Sequence, residues 1–257
     1  MIQRSLESIG RSVLQPLEEV GRVSRILGLG VANLVVRPFR IRLTIRQMEF
    51  IGVQSLPIIL LTSFFTGAVF TLQSHRAFAM FGAQAMVGGT VGVALTRELA
   101  PTLTGLLVAG RAGSAMAAEI GSMRVSEQID ALEAMAVDPI NYLVKPRLVA
   151  ATLVTPMLTA VYDFVGMFGS WYIAMYVLNM SEPEYMKRTQ EWIDWDDIWS
   201  GLLKALVFGV IIGTVACYKG YYTSGGAAGV GRATTSSVVV ASVAILVSNF
   251  FIAWALP

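Results

Sequence analysis

The sequence predicts an all-α integral membrane protein with an N-terminal amphipathic interfacial helix, five transmembrane helices and a short cytoplasmic helix between spans two and three. Of 257 residues, 55% are apolar and only 14% are charged, with a mean hydropathy of +0.64. A soluble domain has about 25% charged residues. The apolar residues fall into runs long enough to cross a bilayer, and most charges lie between these runs. We therefore expect one membrane domain over residues 1–257.

The N-terminal region, about residues 5–36, differs from the later apolar runs. Apolar residues recur at helical spacing with charged residues between them, which is typical of a helix lying along the interface. The apolar positions are Ile9, Val13, Leu17 and Val20. The run from Ile26 to Val36 is only about half a bilayer long and is predicted to dip into the membrane without crossing it.

Five segments satisfy the length requirement of about 20 mainly apolar residues for a helix that crosses a hydrocarbon core of about 30 Å. Together they make a transmembrane region over about residues 50–256. The candidates are residues 50–74, 84–112, 148–178, 199–222 and 234–256.

The orientation follows from the arginine and lysine residues in the short loops, which favour the cytoplasmic side. The N-terminal region is rich in arginine, and the loops after spans two and four are also basic. The loop between spans three and four is acidic and carries Trp192, Trp195 and Trp199, as expected of an external interface. The basic loop residues are Arg111, Arg124, Lys145, Arg147, Lys219 and Arg232. A cytoplasmic N-terminus and an external C-terminus are predicted.

Arg97 and Glu98 lie in the middle of the second apolar run. Charge inside a membrane span is costly and marks a functional site by default. Neighbouring residues on a helix point about 100° apart, so each side chain is expected to find a separate partner. Pro101 cannot donate to the carbonyl of Arg97, which predicts a kink and a polar pocket. The alternative is a purely structural ion cluster that fixes helix packing.

The segment at about residues 124–136 predicts a short amphipathic cytoplasmic helix, with Ser126 as its N-cap. Ile129, Leu132 and Met135 share one face, and Glu127 and Asp130 lie in the first turn. Such a helix is either a docking surface for a soluble partner or a loop helix packed on its own protein.

Several functions are excluded by what the sequence lacks. One cysteine (Cys217) and one histidine (His75) make a Cys/His zinc site very improbable, and no metal site is predicted. The glycines from Gly225 to Gly231 match neither a P-loop nor a dinucleotide fingerprint, so the chain has no P-loop of its own with which to hydrolyse ATP. No catalytic residues and no bound cofactor are expected. A net charge of +2 gives no reason to expect nucleic acid.

The stretch RELAPTLTGLLVAGRAGSAMAAEIGSMRVSEQIDALEAMAVDPINYLVKPR closely resembles the signature region of the MlaE family, and GVGRATTSSVVVAS resembles the pattern before its last span. These are permease subunits of bacterial ABC transporters that move phospholipids to maintain outer-membrane lipid asymmetry. The resemblance covers roughly residues 45–255. It implies a non-catalytic inner-membrane subunit that forms a homodimer.

The resemblance also implies partners and site residues. Two copies of a cytoplasmic ATPase, which holds the ATP and Mg, would bind the short helix. We call this helix the coupling helix. Its contact residues would be Glu127, Ile129, Asp130, Leu132 and Met135. A hexameric periplasmic MCE-domain protein would exchange phospholipid with the permease, and a STAS-domain protein could join the ATPase. Phospholipid would enter a cavity that includes Arg97 and Glu98 of the family's RELxP motif, with Gln73, Phe78 and Phe81 near the outer end of span one.

Two other functions stay open at this point. One is a membrane scaffold that joins an MCE ring to an ATPase without contacting lipid. The other is a proton-coupled secondary transporter using Glu98 and Asp163, although the inverted repeat found in many such transporters is not visible.

Overall fold

The computed structural model describes residues 18–19, 21–30, 32 and 40–255. Every regular element in this part of the chain is a helix. Most of the predicted interfacial helix lies outside the described residues, although residues 21–30 are helical.

The prediction of five spans is confirmed. Five helical segments are long and apolar enough to cross a membrane, and we number them spans 1 to 5: Ile41–Ala79, Gln84–Val125, Ile140–Tyr176, Trp195–Tyr221 and Gly226–Ala255. Several extend beyond the predicted bounds because hydropathy marks only the apolar part of a helix, whereas the backbone hydrogen bonds continue into polar turns. Arg111, predicted to lie in the loop after span 2, is therefore inside the helix of that span.

Spans 1 and 2 are interrupted helices. Span 1 comprises α-helices Ile41–Gly52 and Leu56–Ala79, joined by the 3₁₀ turn Val53–Ser55. Span 2 begins with the 3₁₀ turn Gln84–Met86 and contains two π-helical turns between three α-helices. These are Val87–Ala94, the first π turn Leu95–Leu99, Ala100–Val108, the second π turn Ala109–Gly113, and Ser114–Val125.

The other spans are more regular. Span 3 opens with the π turn Ile140–Val144 and continues as one α-helix, Lys145–Tyr176. Spans 4 and 5 are single α-helices, Trp195–Tyr221 and Gly226–Ala255. Two short helices join spans at opposite ends of the bundle: the coupling helix, Gln128–Ala134, and a connecting helix, Glu182–Trp192.

The N-cap prediction for the coupling helix is wrong. Glu127, in a left-handed conformation with φ of 58°, is the N-cap. The Ser126 hydroxyl instead donates to the Ser122 carbonyl at 2.8 Å, because span 2 continues through Val125 and leaves Ser126 in its last turn.

Span 3 packs between spans 1 and 4, and span 5 packs on span 4 and on the second half of span 2. Glycines permit the closest approaches: a Cβ at Gly67 of span 1 would overlap the backbone of Gly166 in span 3. Val91, Leu95, Tyr162, Phe208 and Ile245 belong to the main buried cluster. In the most apolar stretch of span 4, 67% of the residues are buried, against 11% in span 5, so span 5 lies at the outside of the protomer.

The connecting helix is fixed to the bundle by buried hydroxyl groups. Ser170 of span 3 is 2.7 Å from the hydroxyl of Tyr185 and 2.6 Å from the hydroxyl of Thr71 in span 1. Burial raises the pKa of the Tyr185 phenol above its ordinary value.

Candidate functional site

The first π turn is the structural origin of the site. The Ala100 amide donates to the Leu95 carbonyl, a bond that spans one more residue than in an α-helix. Pro101 follows, and the carbonyl of Arg97 accepts a hydrogen bond from the ammonium group of Lys204 at 2.9 Å. The carbonyl that proline leaves free is therefore satisfied by a charged side chain of span 4.

Glu98 connects three spans. One carboxylate oxygen is 2.5 Å from Lys204 Nζ in span 4, and the other accepts a hydrogen bond from the side-chain amide of Asn249 in span 5 at 2.9 Å. Charge-assisted bonds of this kind are roughly twice as strong as neutral ones. Glu98 thus fixes the position of span 5 relative to spans 2 and 4.

Arg97 points to a different partner, as its helical position predicts. Its Nε lies 3.1 Å from a carboxylate oxygen of Asp197, in the first turn of span 4. The other oxygen of Asp197 accepts a hydrogen bond from the Asp194 amide at 3.0 Å and completes a capping box. Asp197 therefore pairs with span 2 and stabilises the start of its own helix.

The four charged groups balance, but they are not equally buried. The side chain of Lys204 is 2% exposed and that of Asp197 is 11% exposed, whereas Arg97 and Glu98 are 33% and 44% exposed. We name these four residues with Asn249 the charge cluster. Each exposed member is paired with a buried group of opposite charge: Arg97 with Asp197, and Glu98 with Lys204. Arg97 and Glu98 therefore present one cationic and one anionic group at the surface of the cluster.

Gln73 lies in a groove of about 480 Å³ that reaches the first π turn. Phe65, Val69 and Gln73 of span 1 form one wall, and Leu99, the residue after Glu98, forms the other. The structure therefore brings one of the predicted span 1 residues near the charge cluster. The groove is predominantly apolar, which suits acyl chains.

Phe78 and Phe81 are not part of this groove. Phe78 is half-buried against the main core, and Phe81 is 83% exposed in the turn that ends span 1. They were predicted from the family resemblance at the outer end of span 1, and neither lines the groove that contains Gln73.

The apolar face of the coupling helix is only partly available to a partner. Ile129 is fully buried and Leu132 half-buried in a second cluster with Ile120, Cys217 and Tyr218. In addition, the Tyr221 hydroxyl of span 4 donates to the Glu133 carboxylate at 3.3 Å. The coupling helix is thus packed on the end of span 4.

The opposite face of the coupling helix is exposed. Glu127 and Asp130 face outward, with Asp130 paired to Arg124 at 2.6 Å. Met135, predicted on the same face as Ile129, is 65% exposed, because it lies in the turn that follows the helix.

Three residues of the charge cluster were not predicted as site residues: Asp197, Lys204 and Asn249. Lys204 carries a signal in the sequence, since it is a cation within the apolar run of span 4, and the cost that identified Arg97 and Glu98 applies to it equally. Asp197 was counted among the acidic loop residues. Asn249 is a single uncharged amide in an apolar span, and the sequence pattern alone does not indicate that it belongs to a site.

No cluster of three or more histidine, cysteine or acidic side chains that could hold a metal occurs in residues 18–19, 21–30, 32 and 40–255. The charge cluster pairs its carboxylates with cations and an amide, which suits a zwitterionic or anionic ligand better than a cation.

Comparison with known proteins agrees with this architecture. The family described as Permease MlaE matches residues 44–255. A "Probable ABC transporter permease protein" of Rickettsia felis is 44% identical over 252 residues, covering 98% of this chain and 97% of the relative. The "Intermembrane phospholipid transport system permease protein MlaE" of Haemophilus influenzae is 35% identical over 254 residues, covering 98% and 97%.

A plant protein is also similar. The chloroplastic "Protein TRIGALACTOSYLDIACYLGLYCEROL 1" of Arabidopsis thaliana is 41% identical over 225 residues, covering 88% of this chain and 64% of the relative. The family match, residues 44–255, includes nearly all of span 1, the other four spans and the first π turn. The chain is a multi-pass membrane protein and belongs to the MlaE family of ABC transporter permeases.

Proposed function

We propose that the chain is the transmembrane permease subunit of an ABC transporter that moves phospholipids between the inner membrane and a periplasmic MCE-domain protein, as part of outer-membrane lipid asymmetry maintenance. The observation that carries the proposal is the charge cluster, in which Glu98 and Arg97 are the exposed members. The name of the Haemophilus relative supports the choice of phospholipid as substrate.

The chemistry of the site fits a phospholipid. The headgroup has an anionic phosphate and, when zwitterionic, an ammonium group. The exposed guanidinium of Arg97 suits the phosphate, and the exposed carboxylate of Glu98 suits the ammonium. The apolar groove lined by Leu99 and Gln73 lies next to the first π turn and is proposed to take the acyl chains.

A homodimer completes the site in this proposal. Span 5 exposes large apolar side chains along most of its length, and the outer face of span 1 does the same. Two protomers related by a twofold axis would cover these faces and enclose the groove. The exposed side chains include Phe65, Val69, Leu246, Val247, Phe250 and Phe251.

The coupling helix is proposed to bind a cytoplasmic ATPase, present in two copies, one for each protomer. ATP and Mg belong to that partner, and a STAS-domain protein is a possible further subunit of it. Glu127, Asp130 and Met135 are the exposed contacts, whereas Ile129 and Leu132 hold the helix to span 4. The hexameric MCE-domain protein would lie at the opposite end, above Phe78 and Phe81, so the N-terminus is cytoplasmic and the C-terminus periplasmic.

The central test is Glu98→Gln. An amide retains the shape and still accepts a bond from Lys204, so the fold and the dimer should be kept, although the buried ammonium of Lys204 loses its counterion and thermal stability should fall. Lipid transfer is therefore compared at equal amounts of folded dimer. Loss of the negative charge removes the group proposed to bind the ammonium, and transfer of phosphatidylethanolamine should fall about tenfold, equivalent to about 1.4 kcal/mol. The measurement is ATP-driven lipid transfer in vesicles containing the complete transporter, with Glu184→Gln, in the connecting helix, as the control for loss of an exposed carboxylate.

The same assay separates the rival functions. A scaffold that never contacts lipid would transfer lipid normally with Glu98→Gln. A proton-coupled transporter would respond to collapse of the proton gradient, and Asp163→Asn would abolish its transport, whereas an ATP-driven permease should respond to neither treatment.

Docking of the ATPase is tested with Met135→Asp. Met135 is exposed and outside the packed face, so the variant should fold normally but bind less ATPase in a pull-down. A loss of about tenfold fits removal of one interface contact. Leu132→Asp would be a poor choice, since it places a carboxylate in the cluster that holds the helix to span 4. Normal binding by Met135→Asp would contradict the proposed surface.

A further inference from the structure

A basic crevice lies at the coupling-helix end of the bundle, away from the charge cluster. It has a volume of about 390 Å³, within the range of about 300–1,000 Å³ typical of small-molecule pockets. Spans 1, 2 and 3 all contribute to it. We define the crevice by Arg46, Gln47, Phe50, Glu119, Tyr142 and Arg147.

One face of span 1 forms the floor of the crevice. Arg46 and Gln47 come three and four residues after Leu43, and Phe50 comes four and three residues after them, so the four residues share one side of the helix. Two of these residues are apolar and two are polar. Helix Ile41–Gly52 therefore turns an apolar surface with a cation and an amide toward spans 2 and 3.

The charges in the crevice leave an excess cation. Arg147 is 4% exposed and is paired with Glu119 at 2.8 Å, and it also donates to the Leu143 carbonyl at 2.8 Å. Within the described chain, Arg46 makes neither a hydrogen bond nor an ion pair. One carboxylate thus faces two guanidinium groups.

Two buried polar atoms at the crevice also lack partners. The Nε of Arg147 and the side-chain oxygen of Gln47 are buried without a hydrogen bond. Buried polar groups are usually satisfied, and exceptions call for an explanation such as a bound ligand. Arg147, although paired with Glu119, retains donor capacity, and Gln47 can turn its amide donors toward an anion.

The surroundings reinforce the positive potential. The guanidinium carbon (Cζ) of Arg40 lies 4.5 Å from the centre of the Tyr142 ring. An adjoining groove of about 590 Å³ is lined by Arg42, Arg46 and Glu49. Counting these side chains, four arginines accompany two glutamates around the crevice.

We propose that the basic crevice is a second binding site, one that takes a phosphate group attached to an apolar body. Guanidinium groups bind phosphate oxygens in a planar, bidentate manner, and Leu43, Phe50 and Leu143 supply walls for the apolar part. The site is separate from the charge cluster, so it does not depend on the proposed transport function. An anionic phospholipid of the adjacent leaflet meets this description fully, and a soluble phosphate ester meets only the charged part.

The test is calorimetric titration of the purified full-length chain in a non-ionic, phosphate-free detergent. Three probes are used: dihexanoyl phosphatidylglycerol, glycerol phosphate and dihexanoylglycerol, which lacks phosphate. Arg46→Gln removes the unpaired cation from an exposed position and should not prevent folding. Arg42→Gln removes a neighbouring cation that lies in the adjoining groove only. Titrations are repeated in a Glu98→Gln background, so that binding at the charge cluster is recognised separately.

We expect Arg46→Gln to weaken binding of dihexanoyl phosphatidylglycerol about tenfold, the loss of one charge-assisted contact, while Arg42→Gln changes it less than about twofold. Glu119→Gln should tighten binding several-fold, because Arg147 is then free of its competing carboxylate. Strong binding of the lipid with weak binding of glycerol phosphate identifies a lipid site. Equal binding of both, lost equally with Arg46→Gln, identifies a site for soluble phosphate esters.

Two results would overturn the proposal. One is equal affinity of Arg46→Gln and Arg42→Gln for both phosphate probes, because the unpaired cation would then have no role. The other is binding of dihexanoylglycerol as tight as that of the phospholipid, which would make the crevice an apolar groove without phosphate recognition. Neither result would bear on transport at the charge cluster.

Discussion

Span 2 contains two π turns, each with one arginine, and the two arginines are stabilised in opposite ways. Arg97 of the first π turn pairs with the buried carboxylate of Asp197. Arg111 of the second π turn donates to neutral oxygens only: the Phe50 carbonyl at 2.6 Å, the Ser55 hydroxyl at 3.2 Å and the side-chain oxygen of Gln54. It also lies 4.9 Å from the centre of the Phe50 ring.

The difference separates a functional arrangement from a structural one. At the first π turn, charges of both signs come from spans 2 and 4, and under the proposed function the exposed Arg97 and Glu98 would leave these partners to bind a ligand. At the second π turn, a guanidinium group crosslinks span 2 to the break in span 1 and satisfies a carbonyl there. The acceptors of Arg111 are neutral, so no anionic side chain of the protein is freed if this guanidinium group changes its partners.

The largest expected effect concerns Lys204. Lys204→Met removes a buried ammonium group that neutralises Glu98 and also donates to the Arg97 carbonyl. Breaking one side of a buried pair costs about 3–5 kcal/mol, and the lower end applies here because Glu98 is half exposed. Thermal unfolding in detergent should show this loss, and adding Glu98→Gln should restore part of it.

The matched control for that measurement is Lys219→Met. Lys219 makes a long ion pair of 3.8 Å with the exposed Glu19 and a cation–π contact with Tyr218, its Nζ 5.2 Å from the ring centre. If both lysine variants were equally stable, the charge cluster would contribute nothing to stability and the contrast between the two π turns would fail.

A smaller effect is expected from the glycines near the two turns. A Cβ at Gly201 of span 4 would overlap the Thr96 carbonyl oxygen of the first π turn. Because backbone has little room to move, Gly201→Ala should cost about 1–3 kcal/mol and loosen the charge cluster. Gly110→Ala, in the second π turn, meets nothing within 4 Å and should leave the unfolding temperature almost unchanged.

The smallest effect is the difference between the two arginines themselves. Arg97→Ala leaves the carboxylate of Asp197 without its cation, whereas Arg111→Ala leaves neutral acceptors. We expect Arg97→Ala to be less stable than Arg111→Ala by about 1–2 kcal/mol. Asp197→Asn should rescue the first variant in chemical denaturation, and an absence of rescue would show that Arg97 acts through another contact.

The sequence was sufficient to find one side of the charge cluster. Arg97, Glu98 and Pro101 are close on the chain, and the cost of charge and the missing proline donor are local properties. Their partners come from spans 4 and 5, about 100 to 150 residues later, and such pairing depends on how the helices pack. Hydropathy located all five spans but cannot fix which residues face each other.

The coupling helix shows the same limit in another form. Periodicity correctly grouped Ile129 with Leu132, but a helical pattern does not say whether its apolar face meets a partner or its own chain. The structure buries this face in a cluster shared with Ile120 of span 2 and with Cys217 and Tyr218 of span 4. Glu127, Asp130 and Met135 are exposed.

Span 4 therefore makes contact with both ends of the proposed mechanism. It runs from Trp195 to Tyr221 as one α-helix without proline or a π turn, in contrast to spans 2 and 3. Tyr218 touches the coupling helix cluster, and Lys204 lies fourteen residues earlier, about 21 Å along the axis at 1.5 Å per residue. An uninterrupted helix is stiff along its axis, so a shift imposed at Tyr218 is carried to Lys204 with little loss. A movement of the coupling helix would thus change the distance between the Lys204 ammonium group and the Glu98 carboxylate.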